Sequence, residues 1–253
     1  MICNSCEHQI PEKANYCPNC GMPLHEAENL YLTVIPVAKA LDFELKGKID
    51  RAIQELKVVV DKHPNGETFM YLGQLLMFKG ELREAIGALK NALVENPLHT
   101  RSHFNMGLAY MRLGQIKKSI EYFKKALSIN DNFHLARYWL GTVYMHTSDF
   151  ENARHYFEVL LRKSPDYQIV HYHLGALAIQ MADYEEAIKQ FNFLAQEITD
   201  DPQIYFYLGL SYYRQGQYLK AVNFFNSVIE LYPDHPKVQS YLEDCEYELK
   251  TLM

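Results

Sequence analysis

Small and bulky residues recur along this chain in a fixed order. Gly73, Gly107, Gly141, Gly175 and Gly209 stand 34 residues apart, each preceded by Leu or Met. Three residues after them come Leu76, Tyr110, Tyr144, Ala178 and Tyr212. Further on, Ala85, Ser119, Ala153, Ala187 and Ala221 share a small register, followed by the bulky register Leu89, Phe123, Phe157, Phe191 and Phe225. Pro97, Pro165 and Pro233 close three of the units, with Asp131 and Thr199 in the equivalent places. Regular spacing of this kind marks a repeat array. Within a unit, Leu72, Gly73 and Leu76 fall at i, i+1 and i+4, and Ala85, Leu89 and Ala92 at i, i+4 and i+7, so each unit reads as two short amphipathic helices. Gly80, Gly114 and Gly216 occupy the turn between them, where a left-handed helix end suits glycine; Ser148 and Ala182 replace it in the other two repeats. A small residue at the glycine register and at the facing alanine lets the two axes approach toward the short end of the ~8–10 Å packing range. A larger residue at Gly141 is expected to force that pair apart.

The order Leu140, Gly141, Tyr144, Ala153, Phe157 and Pro165 in a 34-residue period resembles the tetratricopeptide repeat. A degenerate copy lies upstream, where Ala40, Phe43, Gly47, Ala52, Leu56 and Pro64 follow the same order displaced by one residue. The resemblance predicts an all-α solenoid of about six helix-turn-helix repeats over residues 33–235, closed by a capping helix over 236–253. Val238, Tyr241, Leu242, Cys245, Leu249 and Leu252 form one face of that last helix, with Glu243, Asp244, Glu246 and Glu248 elsewhere, as a terminal repeat with a polar outer side requires. Cys245, on the apolar stripe, reads as a small buried hydrophobe rather than a reactive thiol.

The resemblance further implies a right-handed superhelix whose first helices line a groove that binds a peptide or partner helix, with no catalytic role. Groove positions projected from the register are Met70, Tyr71, Gln74, Met77 and Phe78, then Arg101, Phe104, Asn105, Leu108, Met111 and Arg112. They continue as Tyr138, Trp139, Thr142, Met145 and His146; Tyr172, His173, Ile179 and Gln180; and Phe206, Tyr207, Leu210, Tyr213 and Arg214. The alternative place for any one of these side chains is between neighbouring helices. As a set they are rich in the aromatic, Met and Arg residues that concentrate binding energy, and an amphipathic helix or extended apolar peptide is the expected ligand. The family's carboxylate clamp for acidic chain ends needs Lys, Asn and Arg at registers that here hold Met70, Gln74, Asn105, Leu135 and Trp139. Only Asn105 fits, so a chaperone-tail receptor is not expected, although Arg101 and Arg112 can hold one acidic group of another ligand.

Cys3, Cys6, Cys17 and Cys20 form C-x2-C-x10-C-x2-C. Four thiolates on two knuckles suit one tetrahedral metal ion, Zn²⁺ by default with iron the alternative and disulfides last. The stretch resembles the short zinc-ribbon modules at the ends of many bacterial and archaeal proteins, departing from them where Glu7 stands at the place of the knuckle glycine, which is Gly21 in the second knuckle. A site closed by four Cys ligands leaves no position for water or substrate and is structural. Residues 1–25, nearly devoid of large apolar side chains, cannot bury a core, so metal must supply their folding energy and the repeats are expected to persist without it. Residues 26–32 read as a connector, with Leu30, Tyr31 and Leu32 suggesting a docked segment.

Composition narrows the function. The net charge of −6 argues against general affinity for nucleic acid, and the Lys117, Lys118, Lys124 and Lys125 cluster, interleaved with Glu121, reads as a solvated helix face. The longest apolar stretch, Leu30 to Ala38, is far short of the ~20 residues a membrane span needs. No secretory signal precedes Cys3, and paired CxxC sequences point to a reducing cytoplasm. His103 and His171 share the register of Phe69 and Tyr205, a packing position. There is no H-E-x-x-H, phosphate-cradling loop or nucleophile elbow. The expected function is a non-enzymatic, cytoplasmic protein-protein adaptor or scaffold that needs no small-molecule substrate. Its groove binds an apolar or amphipathic segment, and its structural zinc ribbon is a second contact surface. Two other readings stay open: a nucleic-acid- or transcription-associated regulator acting through the ribbon, and a self-assembling scaffold in which the chain forms a homo-oligomer.

Overall fold

The computed structural model describes residues 38–251, in which helices and the turns between them occur without a strand. Helical backbone over residues 38–45 (α1) and Ile49–Lys62 (α2) makes a first hairpin. Gly66–Lys79 (α3) with Leu82–Glu95 (α4), and Thr100–Arg112 (α5) with Ile116–Ile129 (α6), make the next two. His134–His146 (α7) and Phe150–Lys163 (α8), Gln168–Gln180 (α9) and Tyr184–Glu197 (α10), and Pro202–Arg214 (α11) and Tyr218–Leu231 (α12) follow, then a single helix Val238–Thr251 (α13). The chain divides between Leu140 and Gly141 into two compact units, described in turn.

In the first unit, a Cβ placed on Gly107 of α5 would lie 2.5 Å from the ring of Phe123 on α6, and one on Gly73 of α3 would lie 2.7 Å from Leu89 on α4. The second unit repeats this: Gly141, Gly175 and Gly209 would each meet Phe157, Phe191 or Phe225 at 2.6 Å. The glycine therefore faces the bulky register of the second helix, not the alanine named by the sequence pattern. Ala85, Ala153, Ala187 and Ala221 are themselves fully buried, as are all four phenylalanines. Glycine in a helix interior costs about 1 kcal/mol relative to alanine. Here that cost is offset by a fully buried ring, worth roughly 1.5–3 kcal/mol.

The turns inside the hairpins share one geometry. Gly80, Gly114 and Gly216 adopt φ of 90°, 71° and 77°, and Ser148 and Ala182 adopt 59° and 58° at the same place. Each turn carries the paired bonds of a Schellman motif. In the third, Gln115 N–H donates to Tyr110 O and Gly114 N–H to Met111 O, both at 2.9 Å; in the fifth, Asp183 N–H donates to Ala178 O at 2.8 Å and Ala182 N–H to Ile179 O at 3.1 Å. Side chains fix several helix starts: Asn65 Oδ1 accepts from Glu67 N–H at 2.8 Å and Asp201 Oδ1 from Gln203 N–H at 2.8 Å.

The loops between hairpins are tied by a register six residues downstream. The rings of His103 and His171 bond through Nε2 to the carbonyls of Pro97 and Pro165, at 2.9 and 2.6 Å, and Tyr205 Oη donates to Thr199 O at 3.2 Å. In the intervening repeat Arg137, only 4% exposed, reaches Asp131 Oδ1 at 2.6 Å. His171 also stacks on Phe193, with centroids 3.9 Å apart. These histidines hold loops.

At the carboxy-terminal end, Val238 and Cys245 of α13 are fully buried against a cluster with Phe225 and Val228, while Tyr247 is 67% exposed. Burial raises the Cys245 thiol to about 11, so it packs as a hydrophobe. Leu252, the last residue of the expected apolar stripe, lies outside the described residues.

Ala182→Gly and Ser148→Gly keep the left-handed conformation and remove its steric cost to an L-residue, about 1–2 kcal/mol, against the greater unfolded-state freedom of glycine. Each is expected to raise stability by roughly 0.5–1 kcal/mol in chemical denaturation, and Gly80→Ala, whose Cβ would meet nothing within 4 Å, to lower it by a similar amount through backbone strain alone.

Candidate functional site

Repeating helices bring equivalent residues into rows. In the first unit Tyr71, Gln74 and Phe78 of α3 are matched on α5 by Asn105, Leu108 and Arg112, each 34 positions on, with Arg101 one turn before; of these only Asn105 is buried. Leu135 and Trp139 continue the rows on α7. Phe78 is 72% exposed and Leu135 48%. Tyr71, Leu108, Met111, Tyr138 and Trp139 are half-buried, and Arg101 and Arg112 are exposed. Arg112 Nη1 donates to Met77 O at 2.5 Å, which joins α5 to the last turn of α3. Burial, followed by the Glu67 carboxylate, holds the Tyr71 hydroxyl above its ordinary pKa, with Arg101 acting against them.

Other projected groove residues belong to the core. Met70 is fully buried and Met77 7% exposed. Phe104, 8% exposed, sits 5.7 Å from Phe123 and 5.2 Å from Phe133, ring to ring. Asn105 is 3% exposed. The register of Met70 and Phe104 lies one residue, about 100°, from that of Tyr71, and this step turns it toward the second helices.

In the second unit Tyr172 of α9 and Tyr207 of α11 meet edge to face with centroids 5.6 Å apart, and Tyr207 stacks on Phe191 at 5.0 Å. Burial and the neighbouring Tyr207 hydroxyl hold the Tyr172 phenol well above its ordinary range. His173 stacks on Phe157 at 5.3 Å, and Tyr213 stands 5.3 Å from Tyr241 of the last helix. Met145, Ile179 and Leu210 are half-buried, and His146, Gln180 and Arg214 are exposed. Phe206, 7% exposed, is enclosed by Phe225, His235 and Tyr241. The projection missed Ile169, 43% exposed at the register of Arg101 and Leu135; the 34-residue period alone could have found it.

Cys3, Cys6, Cys17 and Cys20 lie outside the described residues. Among the described residues no group of His, Cys, Asp or Glu side chains could hold a metal ion, and no helix is long and apolar enough to cross a membrane.

Comparison with known proteins agrees with this architecture. Residues 100–133, 144–208 and 202–235 each match a tetratricopeptide repeat family, and residues 2–24 match a zinc-ribbon domain that contains all four amino-terminal cysteines. The chain is a tetratricopeptide repeat protein with an amino-terminal zinc-ribbon domain. Its fold is shared by YrrB, described as a TPR protein with an unusual peptide-binding site, at a TM-score of 0.66 and 18% identity over 73% of this chain and 96% of that one. A tetratricopeptide repeat protein from Parabacteroides merdae gives 0.66 at 22% identity, covering 87% and 92%. PilF of Pseudomonas aeruginosa gives 0.69 at 16% identity, covering 85% and 98%. The sequence matches no curated protein.

Burial, the leading cause in each case, lowers the pKa of His103 and His173; the Pro97 carbonyl bond opposes it at His103, where Lys125 and His99 add to the lowering, and His146 adds to it at His173. The unfolded chain then binds more protons than the folded one between the lowered values and about 6.5, so stability rises with pH across that window. Denaturation midpoints are expected to fall from pH 7.5 to 5.5, and His173→Phe, which keeps the stack on Phe157, to remove part of the fall.

Proposed function

We propose that this chain is a non-enzymatic adaptor that holds an apolar or amphipathic segment of a partner protein on the faces formed by its first helices. One observation carries the reading: after the core is filled, each unit still presents aromatic and Met side chains half-buried along those faces, and the first unit adds Phe78 at 72% exposure. Aromatic, Met and Arg side chains are the types in which interface energy concentrates, and thioether side chains adapt to differing apolar partners. The peptide-binding site of YrrB, a protein of the same fold, supports a similar use of this one.

The zinc ribbon is the second contact surface in this reading. Cys3, Cys6, Cys17 and Cys20 would hold one Zn²⁺, because four thiolates in two CxxC pairs supply the donor set such an ion takes. The ion would stabilise the fold of residues 1–25 and leave no open coordination position for a reaction. A reducing cytoplasm, which keeps those thiols available to the ion, is the compartment this reading expects.

The test is affinity capture from a reducing lysate with the intact chain and with a Phe78→Ser, Leu135→Ser, Trp139→Ala variant, checked for unchanged helicity and melting. These positions are preferred to Phe104, whose truncation removes a buried ring at a cost of about 3–5 kcal/mol. A protein retained by the intact chain and lost by the variant is the expected result. Partners retained equally by both would move the function away from this face.

A further inference from the structure

We infer that the first-helix face of the first unit is shaped for an amphipathic partner helix that carries two acidic side chains three turns apart, one for Arg101 and one for Arg112. This rests on the reading that the face binds a protein segment, and it specifies that segment's chemistry. Arg101, Asn105, Leu108 and Arg112 follow one another at intervals of four, three and four residues on α5. They therefore form a single stripe, with the two arginines about 16 Å apart along the axis and only about 20° apart around it.

Both arginines are exposed, and neither forms an ion pair with a carboxylate among the described residues. Their positions are set by other groups. The Arg112 guanidinium is anchored at 2.5 Å on the Met77 carbonyl, which precedes the exposed Phe78 in the chain, with further N–H groups left to donate. Arg101 stands by the Tyr71 hydroxyl. Glu67, at the equivalent register of α3, stands 3.2 Å from the buried His99 ring and also bonds the Tyr71 hydroxyl that Arg101 bonds, without pairing with Arg101 directly. Between the arginines, Leu108 is half-buried and Asn105 Nδ2 is buried without a hydrogen-bond partner among the described residues.

Two arginines outside any direct ion pair among the described residues, at the ends of a stripe whose surface middle is the half-buried Leu108, stand out on a chain whose net charge is −6. The complement is an apolar stripe with an acid at each end. On a helix laid along α5 at the usual shallow crossing angle, this means acidic residues at i and i+11 and apolar residues at i+4 and i+7. Arginine binds a carboxylate through two parallel N–H donors, which favours Glu or Asp over neutral groups at those ends.

The test uses the full zinc-loaded chain and three helix-favouring 16-residue peptides. All carry Leu at the two central stripe positions, with Glu, Gln or Lys at both ends of the stripe. Binding is read from the emission of Trp139, the chain's one tryptophan, which lies on the same face. At low salt the Glu peptide is expected to bind at least about fivefold more tightly than the Gln peptide, and the Lys peptide more weakly than either. The advantage should shrink in 0.5 M NaCl. It should vanish in an Arg101→Gln, Arg112→Gln variant of unchanged helicity, with affinity for the Gln peptide retained. Equal affinities in the parent, or the same preference in the double variant, would overturn the acidic-partner assignment and leave the face-binding reading standing. Absence of binding by all three peptides would overturn both.

Discussion

Each hairpin from α3 onward depends on one contact, the closure of a bulky second-helix side chain over a bare backbone glycine. The ring of Phe123 occupies space that a methyl group on Gly107 would need, and the same holds for Phe157, Phe191 and Phe225 with their own glycines. Because the ring lies directly on the opposing backbone, the two helices have little freedom to slide or rotate. The contact thus positions the residues around it. Three residues after the glycine, Tyr110 stacks on Tyr122, and Tyr144 stacks on Tyr156 within 7° of parallel; Tyr212 and Phe224 are within 3°. In two of these hairpins a lysine at one shared register, Lys118 or Lys220, stands over the first ring, 5.1 and 5.2 Å from its centroid.

Fixing the hairpin also decides which side chains are left over for function. The register one residue after the buried Met70 and Phe104 stays partly at the surface at Tyr71, Trp139, His173 and Tyr207, though not at Asn105, and the 34-residue period reproduces it from helix to helix. The exposed face is thereby a set of rows whose chemistry can change by substitution without disturbing the ring-on-glycine contact beneath. The two units illustrate this. The first carries exposed Arg101 and Arg112 with Phe78, whereas the second joins Tyr172, His173 and Tyr207 through ring contacts.

Much of this was legible in the sequence. The glycine and phenylalanine registers mark the helix pairs, and the turn glycines mark the left-handed helix ends. The facing partner of the glycine, a bulky residue and not the expected alanine, is not legible there, because a sequence pattern shows which registers are small but not which two meet. The burial of Phe104 and Phe206 is hidden for a related reason: an aromatic one residue from a groove position has the same composition signal, and only packing against the second helix and the loop that follows it separates them. The left-handed φ of Ser148 and Ala182 is not a property of those residues. It is imposed by the hairpin, whose ring contact and Schellman hydrogen bonds hold the turn whatever residue occupies it.

The most direct test is a double-mutant cycle on Gly107 and Phe123, read as unfolding free energy. Gly107→Ala in the parent should destabilise, because the methyl group and the Phe123 ring compete for one space. In the Phe123→Ala background the same change should be neutral or stabilising, since the ring is gone and alanine is the better helix former by about 1 kcal/mol. An equal cost of Gly107→Ala in both backgrounds would contradict the account, showing that the glycine is not there to admit the ring.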